Sequence, residues 1–141
     1  MVACLGVPCI KEVVWRMRMS QSERFQIGIR VLAVLASQPE AMHTSESIAR
    51  ELKKNPVVVR RAFPPLHKAG LIMQRKGPHG GAKLMVPPKK IRIGDVFEAT
   101  ARELISVDDK ALDGLMKKVR AHAVNAMNAH SLTEIVKKIQ K

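Results

Sequence analysis

Two adjacent arginines, Arg60 and Arg61, stand just behind Asn55-Pro56, and a second basic group, Arg75, Lys76, His79 and Lys83, surrounds a glycine-rich turn. A guanidinium is a planar fork of N–H donors. It suits a phosphate, or the O6 and N7 acceptors of a guanine edge, far better than it suits acid–base catalysis. Lysines and a histidine beside a turn offer charge to a phosphate backbone without reading its bases. The chemistry these residues can do is therefore recognition of a polyanion. The other reactive side chains form no catalytic set: there is no Ser–His–Asp order, no phosphate loop and no metal motif of the right spacing. Asp108-Asp109 reads as a helix cap. His122 and His130, eight apart on one helix, are too distant to share a metal within one chain. The sequence is not that of an enzyme.

The elements that must position the arginines lie between Thr44 and Pro88. Thr44 suits a helix N-cap, Glu46 suits the positive end of that helix, and Ile48, Ala49 and Leu52 share one face. Asn55 caps a second helix with Pro56 at its first position, where the missing N–H had no partner anyway. Val58 and Ala62 form an inward pair, and Gly70 fits a left-handed C-cap. Leu71 to Lys76 and Ala82 to Val86 read as two strands joined by Gly77-Pro78-His79-Gly80-Gly81. Helix, turn, helix and hairpin make a winged helix-turn-helix, whose second helix can enter a major groove.

TSESIA, NPVVVRR, KAGLI and the G-x-x-GG-A-x-L-x-x-PP wing, followed by I-R-I-G-D-V-F-E-A, resemble the Rrf-two family of bacterial transcription regulators. The resemblance covers Ser22 to Ala101, with a weaker echo in Ser131 to Val136. It implies a homodimeric, sequence-specific DNA-binding regulator, with Ser22 and Arg24 of the first helix touching the backbone. It also implies that redox-sensing members hold an iron–sulfur cluster on three cysteines between the wing and the dimer helix. Here Phe97 to Asp113 contains no cysteine, so no cofactor and no such cluster are expected. The effector is left open, small molecule or redox.

The 141 residues and the net charge of +13 fit one modest domain with a polyanionic partner. Twelve lysines and arginines fall between Arg50 and Arg92, against one acid, Glu51, whereas Asp95 to Asp113 holds six acids against Arg102 and Lys110. The charge thus follows the helix-turn-helix and wing. One Trp, three Phe and no Tyr leave few platforms for stacking single-stranded bases; Phe25 and Phe97 sit in apolar patterns and belong to the core. Double-stranded DNA is the expected partner. Cys4 and Cys9 are too few to staple a fold, no apolar run is long enough to span a bilayer, and Met1 to Ile10 does not resemble a signal peptide. A reduced, cytoplasmic protein follows.

The expected fold is mainly α with a small β-hairpin: residues 1–19 an upstream extension, 20–101 the winged helix-turn-helix domain, 102–141 a dimerisation helix and a short C-terminal helix. Helix one should run from Ser22, its cap, to Ser37, burying Phe25, Ile29, Leu32, Ala33 and Ala36. A long helix from Asp108 to His130 carries Leu112, Leu115, Met116, Val119, Ala123, Ala126 and Met127 at helical spacing, a stripe suited to a symmetric partner. The alternative is that it folds back on helix one. Ser131 and Glu134 fit a capping box for the last helix. Pro64-Pro65 should stop or kink the recognition helix near Phe63, because an interior proline loses a hydrogen bond and clashes with the preceding turn.

The expected DNA-contacting set is Ser22, Arg24, Thr44, Ser45, Asn55, Pro56, Val57, Val58, Val59, Arg60, Arg61, Arg75, Lys76, His79, Gly80 and Lys83. The function expected from them is repression at an inverted-repeat operator. The rival readings are a winged-helix protein binding nucleic acid without sequence preference, and a winged-helix protein-interaction module.

Overall fold

A computed structural model describes residues 20–105 and 107–141. The Cys4–Cys9 pair and the upstream extension lie outside them. In chain order the elements are α1 (Gln21–Ser37), α2 (Ser45–Leu52), α3 (Pro56–Lys68), β1 (Ile72–Arg75), β2 (Gly81–Leu84), α4 (Ile93–Thr100), α5 (Lys110–Asn128) and α6 (Leu132–Ile139), with 3₁₀ turns at Pro88–Lys90 and Arg102–Ile105. This is a mainly helical fold with one antiparallel hairpin.

α1 lies at the centre. Its N-cap is Ser20, not Ser22: the Ser20 hydroxyl accepts from the Glu23 N–H at 3.2 Å and the Glu23 carboxylate accepts from the Ser20 N–H at 2.8 Å. The reciprocal pair satisfies two donors at once, which Ser22 could not do without a carboxylate three residues on. Ile29, Val31, Leu32, Ala33, Val34 and Leu35 are all buried, a wider face than one stripe. The helix is enclosed by α3, α4, α6 and β2 rather than laid on a single layer. Phe25 meets Phe97 of α4 edge to face, with ring centroids 5.8 Å apart, a favoured aromatic geometry.

α2 and α3 start where side-chain caps allow. Thr44 accepts from the Ser47 N–H at 3.0 Å and Asn55 from the Val57 N–H at 2.9 Å. The turn between them places Lys53 in the left-handed region, φ 54°, a conformation that costs an L-residue roughly 1–2 kcal/mol. α3 runs through Pro64 and Pro65 to Lys68, correcting the expected break. Phe63 and Leu66 are 3% and 0% exposed, so burial on both sides of the prolines holds the helix in register. Pro64 itself is exposed, and water can serve the carbonyls that lose a partner. The helix ends in a Schellman motif: Gly70, φ +77°, donates to the His67 carbonyl at 2.9 Å and Leu71 to the Leu66 carbonyl at 3.1 Å.

The hairpin is shorter than expected and pairs Met73 with Lys83 and Arg75 with Gly81. β2 has a second neighbour. His43 and Ala82 exchange N–H···O bonds of 2.9 and 2.8 Å, so the wing is tied to the residue before the α2 cap. At Gly81, φ +144°, a side chain would meet the His43 backbone.

α6 is sewn to the post-wing segment by the Ile93 N–H to the His130 carbonyl, 3.1 Å, and the Leu132 N–H to the Ile91 carbonyl, 2.9 Å. Leu132 is fully buried, and Ile135, Val136 and Ile139 pack on the core. The expected capping box does not form: the Ser131 hydroxyl turns to the Glu134 carboxylate at 3.4 Å and makes no cap bond. Glu134 also accepts from His130 at 3.1 Å. That bond first, and the Ser131 backbone N–H second, hold its carboxyl below the usual range. Asp109 caps α5 by accepting from the Ala111 N–H at 2.8 Å. α5 packs on α4 and buries none of its nineteen residues fully. Among the described residues no helix is long and apolar enough to cross a membrane.

Candidate nucleic-acid interface

The start of α3 presents Val57, 42% exposed, with Arg60 and Arg61 on the outside. Val58 and Val59 are 9% and 0% exposed. They face the core, so neither can offer a methyl group to a base, and both leave the contact set. A helix that lays one side on α2 and α1 cannot also expose that side to a groove. Asn55 and Pro56 sit at the positive end of α3, where backbone N–H groups favour an anion.

Arg60 is not free. Its Nε donates to the Ser45 Oγ at 3.1 Å and its Nη2 to the Glu46 Oε1 at 3.0 Å. The Ser45 hydroxyl in turn donates to the Glu46 Oε2 at 3.1 Å. Ser45, 7% exposed, is therefore a support beneath the arginine and not a contact residue. The Glu46 carboxyl is held below its usual range, chiefly by its own backbone N–H, then by Ser45 and Arg60. Arg61 has no hydrogen-bond or ion-pair partner among the described residues, which suits a charge waiting for an external anion.

The hairpin turns Ile72, Ala82 and Leu84 inward and leaves Met73 and Arg75 exposed, with Lys83 half-buried beside Met73. Lys76 and His79 are exposed at the tip. Gly80 is buried: it donates to the Gly77 carbonyl at 2.9 Å, and a side chain there would strike the Arg75 backbone. Its role is to close the turn. Ser22, Arg24 and Thr44 are exposed, although Thr44 already uses its oxygen as a cap. Sequence reasoning passed over Lys53 and Lys54, exposed beside the start of α3 and lining a groove of about 740 Å³ together with Arg30, Glu23 and Glu51. The signal was present, a lysine doublet directly before the Asn-Pro helix start.

A helix-turn-helix followed by a glycine-turned hairpin, each with exposed cations, is the arrangement of a winged-helix DNA-binding protein. Residues 21–141 match the Rrf2 family model, described as an iron-dependent transcriptional regulator. The chain belongs to that family: it is a DNA-binding transcriptional regulator and not an enzyme. It is 28% identical over 130 residues to the Bacillus subtilis (strain 168) protein named "Putative HTH-type transcriptional regulator YwnA", covering 82% of this chain and 96% of that one. Its fold is similar to that of CymR (YrzC), the global cysteine regulator of B. subtilis, with TM-score 0.63, 21% identity, and 82% and 94% of the two chains covered. It is also similar to T. potens IscR, with TM-score 0.64, 22% identity, and 88% and 90% covered.

The family description names iron, and the residues present decide whether a cluster fits. Cysteine thiolates hold iron–sulfur clusters, and Phe97 to Asp113 supplies none. Among the described residues no group of three or more His, Cys, Asp or Glu is placed to hold a metal. The segment between α4 and α5 does not fit a thiolate-held cluster.

Proposed function

We propose that the chain is a homodimeric, sequence-specific repressor that binds an inverted-repeat operator and works without an iron–sulfur cluster. The observation that carries the dimer is α5. Leu112, Leu115 and Val119 are 46%, 58% and 42% exposed, spaced along one helix with Met116 and Ala123 half-buried beside them. A stripe of that kind is stabilised when a second copy covers it. Met127 already packs on its own core and contributes less to such a contact than the other residues of the stripe.

Two copies related by a two-fold axis would present two α3 helices to half-sites about one helical turn, roughly 34–36 Å, or a multiple apart. Val57 would meet a thymine methyl, and the arginines a guanine edge and a phosphate. Arg75, Lys76, His79 and Lys83 would hold the backbone or an adjacent minor groove, with Ser22, Arg24 and Thr44 at its other margin.

The test is selection of bound fragments from genomic DNA by the purified protein, followed by competition against random duplex at moderate salt. An enriched palindromic motif with a large specificity ratio is expected. Equal affinity for all duplexes would remove sequence-specific reading, and absence of any shift at low salt would favour a protein-interaction module.

A further inference from the structure

Arg60 and Arg61 are neighbours in sequence but differ in surroundings. Ser45 and Glu46 engage Arg60 from α2, fifteen and fourteen positions away, whereas Arg61 has no such partner among the described residues. We propose that Ser45 and Glu46 are positioning residues that aim Arg60 at a guanine and so set the sequence specificity of the recognition helix. This rests on the DNA-reading role proposed above.

A guanidinium carries five N–H groups. The Nε–H goes to Ser45 and one Nη2–H to Glu46, and these two lie on the same side edge of the fork. The end edge, formed by Nη1 and the second Nη2–H, is left open. That edge fits the O6 and N7 acceptors of guanine as a bidentate pair. The Ser45 hydroxyl accepts from Arg60 and donates to Glu46, which closes the three side chains into a triangle.

Surface ion pairs contribute little stability: Arg60 and Glu46 are 55% and 58% exposed, within the range where such pairs are nearly neutral. Holding a flexible side chain in one orientation before binding is a different benefit, because the ordering cost is removed from the association step. The carboxylate also acts against the wrong ligand. An anionic group on this face repels phosphate, and an arginine tied to it cannot swing onto an arbitrary backbone oxygen. Arg61, without a partner among the described residues, is left to make that backbone contact. The division of labour is Arg60 for the base and Arg61 for the phosphate.

The experiment uses the full chain, a duplex selected from a random-sequence pool, and a random duplex as competitor. Glu46→Ala and Ser45→Ala should each bind the selected duplex about three- to tenfold more weakly, from the lost pre-ordering. Glu46→Ala should bind random duplex more tightly, with a salt dependence steeper by about 0.9 as Arg60 gains a phosphate. Glu46→Gln, which keeps an acceptor without charge, should fall between. Replacing guanines one at a time by 7-deazaguanine should find one position per half-site that costs the wild type and Arg61→Ala but not Arg60→Ala. At that position the penalty should shrink in Glu46→Ala. Thermal melting of each variant confirms folding.

Loss on Arg60→Ala with unchanged specificity ratio and deazaguanine penalty in the Ser45 and Glu46 variants overturns the positioning role alone. No loss on Arg60→Ala overturns it together with base reading by this arginine.

Discussion

Leu115→Ala is the sharpest test of the proposed two-fold assembly. Leu115 is 58% exposed in a single subunit, so a little over half its surface remains to be covered. Complete burial of a leucine side chain is worth about 1.5–3 kcal/mol, and the uncovered share therefore about 1–1.5 kcal/mol. A symmetric contact contains the residue twice, so the substitution should weaken association by roughly 2–3 kcal/mol, or about 30–150-fold in the dissociation constant. Sedimentation equilibrium across a concentration series reads this directly. The same change should leave no cavity within a subunit, because the side chain stands on the surface of α5. Thermal unfolding extrapolated to high protein concentration should accordingly move little. DNA binding should weaken below the new dimer constant and recover above it. Unchanged association in the variant, or a wild-type protein that stays monomeric over the same range, would refute the reasoning.

Val59→Ala, at a residue with 0% exposure, should destabilise the fold by about 1.5–3 kcal/mol in chemical denaturation. Val57→Ala, 42% exposed, should leave stability within about 0.5 kcal/mol and weaken only operator binding. The reverse pattern would mean that α3 is rotated. Pro64→Ala should stabilise by roughly 1–3 kcal/mol, since it restores a donor to the Arg60 carbonyl and removes an exposed ring; a loss of stability would show that the proline shapes the helix. Lys53→Gly should stabilise by about 0.5–1 kcal/mol by relieving the left-handed lysine, read by denaturant midpoint.

The depressed Glu46 carboxyl gives a pH signature. A group whose folded pKa lies below its unfolded value contributes above the unfolded value and loses that contribution as pH falls through the folded one. The specificity ratio should stay level through neutral and mildly acidic pH and fall only beneath the usual carboxylate range. A fall near pH 6, measured by fluorescence anisotropy, would implicate a histidine instead.

Much of the fold that carries the candidate interface is legible in the chain because its signals are local. Thr44 and Asn55 cap helices through bonds that span two or three residues. Gly70 closes α3 through the carbonyls of Leu66 and His67, and the glycines of the wing permit a turn that other residues resist. Such chemistry needs nothing from the rest of the molecule, so sequence by itself determined the order of elements, the wing and the clustering of cations along both. Tertiary structure decided the rest. Which valines of α3 face outward depended on where α1 and α2 lie, and burial of Phe63 and Leu66 carried that helix through two prolines that propensity alone would have let break it. The Arg60–Ser45–Glu46 triangle joins residues on different helices. Propensity and capping act within about one helical turn, whereas facing, burial and cross-helix hydrogen bonds exist only once distant segments meet.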